Sequence, residues 1–312
     1  MQDSLDKLIQ LAQISGCIDV QCQFKGDWFI QNQQNISTEE RYSAVVHIIV
    51  EGEGYLKVKG ESQSHLLKAG DIIFFSRSQE HVLSSQYNCQ NKKDLVQNQI
   101  KNGFQLKTTS QFMGDPELKL FCAHFYYDKR ASLFHNLPEY FWTTLDQEKL
   151  QGILNLLQQE LNSPNLGNQV VIDSLSKVLL VEIIRAYIAS QPDYMVGILK
   201  GIQDPRLAVL IKKILNQPAE NWSIEVMLQF SNLSRSQLTR IFKQVIGLSP
   251  HAFVHQIRLQ QAATLLNNGG DSVFSIALSC GFQSEAHFIQ AFKKIYNITP
   301  SQYRKQKTNC LK

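Results

Sequence analysis

No apolar run in this 312-residue chain reaches the roughly 18 to 20 residues that a membrane-crossing helix needs. The opening Met1-Gln2-Asp3-Ser4-Leu5-Asp6 lacks the basic-then-apolar order of a secretion signal, so a cytoplasmic protein with no membrane partner is expected. The six cysteines, Cys17, Cys22, Cys89, Cys122, Cys280 and Cys310, include no C-x-x-C pair and no zinc-finger spacing. That argues against a disulfide framework or a structural zinc site and predicts reduced thiols. Nor is the composition that of a disordered chain: 43% of residues are hydrophobic and 19% charged, enough for two or three domains with cores.

The net charge of +4 is laid out unevenly. From Asp204 to Lys312 there are 13 Lys and Arg against 5 Asp and Glu, a net of +8, and the remainder carries 18 against 22, a net of −4. A basic C-terminal third on an acidic remainder suits a chain in which one domain faces a polyanion; on charge alone, a basic solvated face is the alternative.

Hydrophobic periodicity divides the chain further. Leu5, Leu8, Ile9 and Leu11 have helical spacing. Short strands are predicted at 45–50, 54–58, 64–67 and 71–75, joined by turns at Glu51-Gly52-Glu53-Gly54, Lys59-Gly60-Glu61 and Lys68-Ala69-Gly70-Asp71. Their number and spacing suggest a small barrel or sandwich. The polar stretch Gln86 to Asn102 reads as a long loop, with strands resuming around Leu118 to Tyr127. Beyond Pro138 the period becomes helical, with one stripe on Leu150, Ile153, Leu154, Leu157 and Leu161 and another from Val170 to Ala189, broken at Gln191-Pro192-Asp193. At Asp204-Pro205 an aspartate cap and a first-turn proline predict the start of a helix.

The last third contains an internal repeat. Ser234, Leu238, Phe242, Lys243 and Pro250 recur fifty positions later as Ser284, Phe288, Phe292, Lys293 and Pro300. Upstream of each serine the offset is 49, pairing Ile224, Met227 and Asn232 with Val273, Ile276 and Gly281. Each unit reads as a short helix, a turn whose residue tolerates positive φ (Asn232, Gly281), and a serine-capped amphipathic helix. The predicted buried stripes are Leu238, Ile241, Phe242 and Val245, then Phe288, Ala291, Phe292 and Ile295. The opposite faces offer Arg235, Ser236, Gln237, Thr239, Arg240 and Lys243 in the first unit, and Glu285, Ala286, His287, Gln290, Lys293 and Lys294 in the second. Such side chains suit phosphates and base edges in a major groove, with Arg240 and Gln237 the leading base readers. Between the units, Pro250 to Asn268 reads as one helix ending at Gly269-Gly270. It is long enough to set two recognition helices into successive major grooves, roughly 34 Å apart. Arg258 on this helix suits an internal ion pair at least as well as DNA.

These residues carry a resemblance. Ser249-Pro250-x-x-Phe253, Arg258-Leu259-x-x-Ala262-x-x-Leu265-Leu266, Ile276-Ala277-x-x-Cys280-Gly281-Phe282-x-Ser284, Phe288-x-x-x-Phe292-Lys293 and Thr299-Pro300-x-x-Tyr303-Arg304 resemble the AraC/XylS family of bacterial regulators over about Pro205 to Arg304. The resemblance implies a seven-helix DNA-binding domain with two helix-turn-helix units. Leu228, Ser231 and Asn232 depart from it, standing where the family usually has alanine, alanine and glycine.

Upstream, His47 to Tyr55, Leu67 to Phe75 and Glu80-His81-Val82 resemble the cupin barrels attached to many such regulators. In metal-dependent cupins the ligands come as H-x-H, a later Glu and a distant His. This chain has His47, Glu51 and His81, with Val45 in place of the second histidine, so the expectation is no metal and no cofactor. Cys22 and Cys122 look like cysteines of AraC-type regulators with a similar cupin that respond to oxidants. In that reading a thiolate lowered in pKa by His124 or Lys25 is the reactive species. The alternative is that both cysteines simply pack in the core.

The expected architecture is α+β: an N-terminal cupin-like β-barrel sensor over 1–143, a helical connector over 144–203 that forms a homodimer, an all-α DNA-binding domain with two helix-turn-helix units over 204–306, and a tail over 307–312. The expected function is sequence-specific, non-enzymatic regulation at double-stranded promoter DNA, with RNA polymerase as partner and a small molecule or oxidant as signal. Two other classes stay open. A metal-dependent cupin oxygenase or isomerase would require a stoichiometric transition metal, and a protein-only adaptor would lack salt-dependent DNA affinity.

Overall fold

The β-branched and aromatic segments between residues 15 and 144 form one sheet. A computed structural model describes residues 2–32, 41–77, 79–87, 89, 96–101, 104–109, 114–135, 137–162, 165–190 and 195–310. Its strands are β1 (Ser15–Phe24), β2 (Phe29–Asn32), β3 (Arg41–Val58), β4 (His65–Lys68), β5 (Asp71–Phe75), β6 (His81–Ser84), β7 (Val96–Lys101), β8 (Phe104–Thr109), β9 (Leu118–Asp128) and β10 (Tyr140–Thr144). They are ordered β10-β5-β3-β9-β1-β8-β7, with β4 and β6 also on β3, and β2 on β6. The sheet curls into a cupin-like half-barrel because β3 serves both ends: its first half pairs with β5 and its second half with β4 and β6.

Two expectations change here. Glu51-Gly52-Glu53-Gly54 is not a turn but the middle of β3. Gly52 bends the strand at φ +80°, and a side chain there would overlap the backbone oxygen of Glu117, so the glycine marks a close approach between strands. The stretch expected to be a loop contains β7, paired antiparallel with β8 from Val96↔Thr109 to Lys101↔Phe104; residues 88, 90–95 and 102 within it lie outside the described residues.

Two compact units emerge: Ser15–Tyr127 with Pro138–Pro192, and Met1–Ile14 with Asp128–Leu137 and Asp193–Lys312. In the first, Phe24, Ile49, Leu56, Ile73, Phe75 and Leu120 fill the inside of the curl. Helices α3 (Gln147–Asn162) and α4 (Asn168–Ser190) belong to this unit. Leu150, Ile153, Leu154, Leu157 and Leu161 of α3 are buried, as their spacing predicts. Ser176 of α4 accepts from the Ile18 amide at 2.9 Å, and Tyr187 packs on Phe141 with centroids 4.2 Å apart. The predicted break at Gln191-Pro192-Asp193 lies outside the described residues.

The second unit holds α1 (Ser4–Leu11), α2 (Ser132–His135), α5 (Gly197–Gly201), α6 (Ala208–Asn216), α7 (Ile224–Leu228), α8 (Arg235–Ile246), α9 (Pro250–Asn268), α10 (Val273–Ser279), α11 (Glu285–Tyr296) and α12 (Pro300–Cys310). The helix expected at Asp204-Pro205 begins instead at Ala208. Asp204 closes a tight turn, accepting from the Arg206 amide at 2.9 Å and its guanidinium at 2.6 Å. Among the described residues no helix is long and apolar enough to cross a membrane.

Candidate nucleic-acid interface

Two helix-turn-helix units stand where the repeat places them. In the first, Ser223 caps α7, the chain turns through Asn232 at φ +49°, and Ser234 caps α8. The cap is reciprocal: the Gln237 amide donates to Ser234 Oγ at 3.4 Å, and the Ser234 amide donates to Gln237 Oε1 at 2.9 Å. In the second, Ser272 caps α10, Gly281 turns at φ +82°, and Ser284 caps α11. A Cβ on Gly281 would sit 2.6 Å from the Ala219 backbone oxygen, so this position needs glycine for its conformation and for its neighbour.

Leu238, Ile241, Phe242, Val245 and Ile246 form the buried side of α8. In α11 the buried side is Phe288, Phe292 and Tyr296. Ile295, expected inside, is 44% exposed, and Tyr296 takes its place by stacking on Phe292 with centroids 4.2 Å apart.

The outward side of α8 is polar and cationic. Arg235, Ser236, Gln237, Thr239, Arg240 and Lys243 are all exposed, and α8 contains no acidic residue. Ser234, Arg235, Ser236, Thr239, Arg240 and Lys243 line one shallow depression. Arg240 is steadied by donating to Gln244 Oε1 at 3.3 Å, a neighbour that the sequence reading did not name. Because the cap engages Gln237 Oε1, Gln237 presents its Nε2 donors to a partner. Thr239 Oγ1 donates back to the Arg235 carbonyl at 3.0 Å. On α11, Ala286, His287, Gln290, Lys293 and Lys294 are exposed, and Glu285 is partly covered in the first turn, where the helix dipole favours an anion. His287 lies 6.2 Å, centroid to centroid, from His255 of α9, whose pKa burial and the His287 charge lower.

Arg258 is an internal tie, but its partners are carbonyls rather than a carboxylate. It donates to the Pro218 and Glu220 oxygens, each at 2.8 Å, and so pins the chain entering the first unit.

In the sheet unit, His47, His81 and Cys122 come together. His47 Nε2 lies 2.7 Å from His81 Nε2, and His47 Nδ1 lies 3.1 Å from Cys122 Sγ. His81 Nδ1 lies 2.6 Å from the Gln79 carbonyl oxygen, and its ring stacks on Phe75 with centroids 4.0 Å apart. A carbonyl only accepts, so with both rings neutral the hydrogen bonds have one direction. His81 donates to Gln79, His47 donates to His81, and the Cys122 thiol donates to His47. Burial lowers both histidines, His81 to about 4 and His47 well below its usual range. The hydrogen bond with the Cys22 thiol, followed by burial, raises Cys122 well above the ordinary thiol range. For Cys122 the expected lowering is therefore reversed. His124 is engaged by Asp19, with Nδ1 2.6 Å from Oδ1. Glu51 does not join the histidines. It is exposed and pairs with Lys119 at 2.9 Å, so the residues present do not fit a His47, Glu51, His81 metal triad. Among the described residues no group of three or more His, Cys, Asp or Glu is placed to hold a metal ion.

Comparison with known proteins follows the same division. A cupin model matches residues 3–189 and a helix-turn-helix domain model matches residues 227–306. The chain is similar to the HTH-type transcriptional regulator MtrA of Neisseria gonorrhoeae, 43% identical over 307 residues, covering 97% of this chain and 98% of that protein. It is also similar to the RCS-specific HTH-type transcriptional activator RclR of Escherichia coli (strain K12), 25% identical, covering 97% of this chain and 98% of that one. Among solved structures, the DNA-binding domain of AdpA in complex with a target DNA is similar over 32% of this chain and 91% of that chain, at 27% identity and a TM-score of 0.32.

Proposed function

Since the chain belongs to the AraC family of HTH-type transcriptional regulators, we propose that it reads double-stranded promoter DNA with α8 and α11 and takes its signal through the cupin domain. The observation that carries this reading is the capped, exposed face of α8, where Arg235, Arg240 and Lys243 stand clear of acidic residues on their own helix. Phosphate contacts from these cations supply salt-dependent affinity, and Arg240 with Gln237 supplies base discrimination. The remaining divisions follow the sequence: sensing by 1–143, homodimerisation through 144–203, DNA binding by 204–306 and a tail over 307–312. The protein works in the cytoplasm with RNA polymerase as partner and is not an enzyme. Against a cupin enzyme stands the engagement of His47 and His81 with each other and of Glu51 with Lys119. The test is mapping of bound genomic sites with and without oxidant, backed by retardation of a promoter fragment at several salt concentrations. Retardation insensitive to salt would remove this reading.

We further propose an oxidant as the signal. Support comes from the Cys22, Cys122 and His47 arrangement. A two-electron oxidant that takes the two thiols to a disulfide must release two protons, and His47 Nδ1 is placed to receive that of Cys122.

A further inference from the structure

We infer that the helical unit carries a small-molecule site of its own, suited to an apolar carboxylate that bears a hydroxyl group. A cavity of about 650 Å³ opens between α2, α5, α9 and the ends of α8 and α11, within the size range of ligand pockets. Its walls are apolar: Ile198, Ile246, Phe253, Leu259 and Tyr296. Its polar residues include Lys129, Arg130 and His255, and no aspartate or glutamate lines it among the described residues.

Two buried groups specify the ligand. Gln260 is 3% exposed and donates from Nε2 to the Arg130 carbonyl at 2.6 Å and to Ser132 Oγ at 2.8 Å. The carbonyl fixes the amide orientation, since it can only accept, and Gln260 Oε1 is left buried without a hydrogen-bond partner among the described residues. A ligand that donates a hydrogen bond satisfies it. Arg130 is the second group. Its Nε donates to the Ile295 carbonyl at 2.9 Å and its Nη2 to the Tyr296 carbonyl at 3.3 Å, while the guanidinium lies 4.3 Å over the Tyr296 ring. Its buried Nη1 makes no hydrogen bond among the described residues and forms an ion pair with Asp128 Oδ1 at 3.6 Å, too long for a hydrogen bond. A carboxylate accepts from Nη1, with Lys129 adding positive charge.

The placement links this site to DNA binding. Ile246 ends α8, Ile295 and Tyr296 end α11, and α9 joins the two units. Whatever fills the cavity touches the ends of both recognition helices and the helix that sets their separation. This coupling rests on the DNA-binding reading; the binding site does not.

The experiment titrates the full-length protein calorimetrically with 3-hydroxydecanoate, decanoate and 1,3-decanediol, then repeats the promoter-fragment titration with each. Saturable 3-hydroxydecanoate binding is expected, weaker by about tenfold for decanoate, which leaves the buried amide oxygen unpaired, and for the uncharged diol. Ala252→Trp, which fills the cavity from an exposed position on α9, abolishes binding, and Lys129→Gln weakens it severalfold; thermal melts check that both variants fold. Occupancy shifts promoter affinity about fivefold or more. Absence of saturable binding, equal binding of the diol, or unchanged binding to both variants overturns the site. Binding without a change in promoter affinity overturns the coupling. A chain that binds 3-hydroxydecanoate but retards no promoter fragment counts against the DNA-binding reading and leaves the site standing.

Discussion

His47 donates from Nε2 to His81 Nε2 across 2.7 Å inside the curled sheet, and that hydrogen bond requires the accepting nitrogen of His81 to carry no proton. Burial lowers His81 to about 4 and His47 further below its ordinary range. A folded-state pKa below the unfolded value of about 6.5 makes the unfolded chain the better proton acceptor. The stabilisation is complete above pH 6.5 and is lost as pH falls towards 4. The shift of His81 alone corresponds to about 3 kcal/mol at most. Melting curves between pH 7.5 and 4.5 should show the loss, and His81→Gln should flatten it. A wild-type melting temperature independent of pH would contradict the assignment.

Cys122 donates its thiol proton to His47 and is held above the ordinary thiol range, so it resists alkylation. Iodoacetamide at pH 8 should label native Cys122 far more slowly than denatured Cys122. The Cys22→Ser, Cys122→Ser double variant should abolish the transcriptional response to oxidant in cells while leaving promoter affinity intact. A response that survives in the double variant would rule out the thiol pair as the sensor.

Arg240 and Lys243 separate two kinds of DNA contact. Arg240→Ala should cost roughly 1 to 3 kcal/mol of binding and relax preference at one base position, whereas Lys243→Ala should weaken all sequences alike and lower the salt slope by about one. Fluorescence anisotropy over a panel of single-base variants measures both. Equal losses in every sequence for Arg240→Ala would assign it to phosphate instead.

Gly281 and Gly247 both have positive φ, but only Gly281 has a neighbour where a Cβ would go. Gly247→Ala should cost about 1 to 2 kcal/mol, the left-handed penalty alone. Gly281→Ala adds an overlap with Ala219 and should cost more than about 3 kcal/mol. Urea midpoints for the two variants decide, and equal costs would show that the backbone at 219 yields.

Ser231 stands where the family usually has alanine, and its hydroxyl is buried without a hydrogen-bond partner among the described residues. Ser231→Ala should stabilise the chain by about 1 kcal/mol. Destabilisation in a thermal melt would show that the hydroxyl is satisfied.

The helix-turn-helix units were legible because their signals are local. A serine cap, a turn residue tolerating positive φ and an apolar residue every third or fourth position act through backbone geometry within a few residues, and Ser234, Asn232, Ser284 and Gly281 all behave as their chemistry predicts. The exposed α8 face follows from the same arithmetic. At the end of α11 the arithmetic fails: Ile295 and Tyr296 are adjacent, both apolar, and only the packing of Phe292 selects Tyr296 for the inside.

By itself, then, the chain's own order of residues determined the caps, turns and most of the buried stripes of the two helix-turn-helix units, the buried stripe of α3, the strand character of 45–75 and 118–127, and that a duplicated basic unit ends the protein, since these rest on contacts between near neighbours. Tertiary structure alone decided that Gly52 bends a strand instead of closing a turn, that Glu51 leaves the histidines for Lys119, and that His47 meets Cys122, 75 positions away. Those outcomes depend on which strands lie side by side. Strand pairing is a long-range choice made by burial over the whole sheet, and no local pattern encodes it.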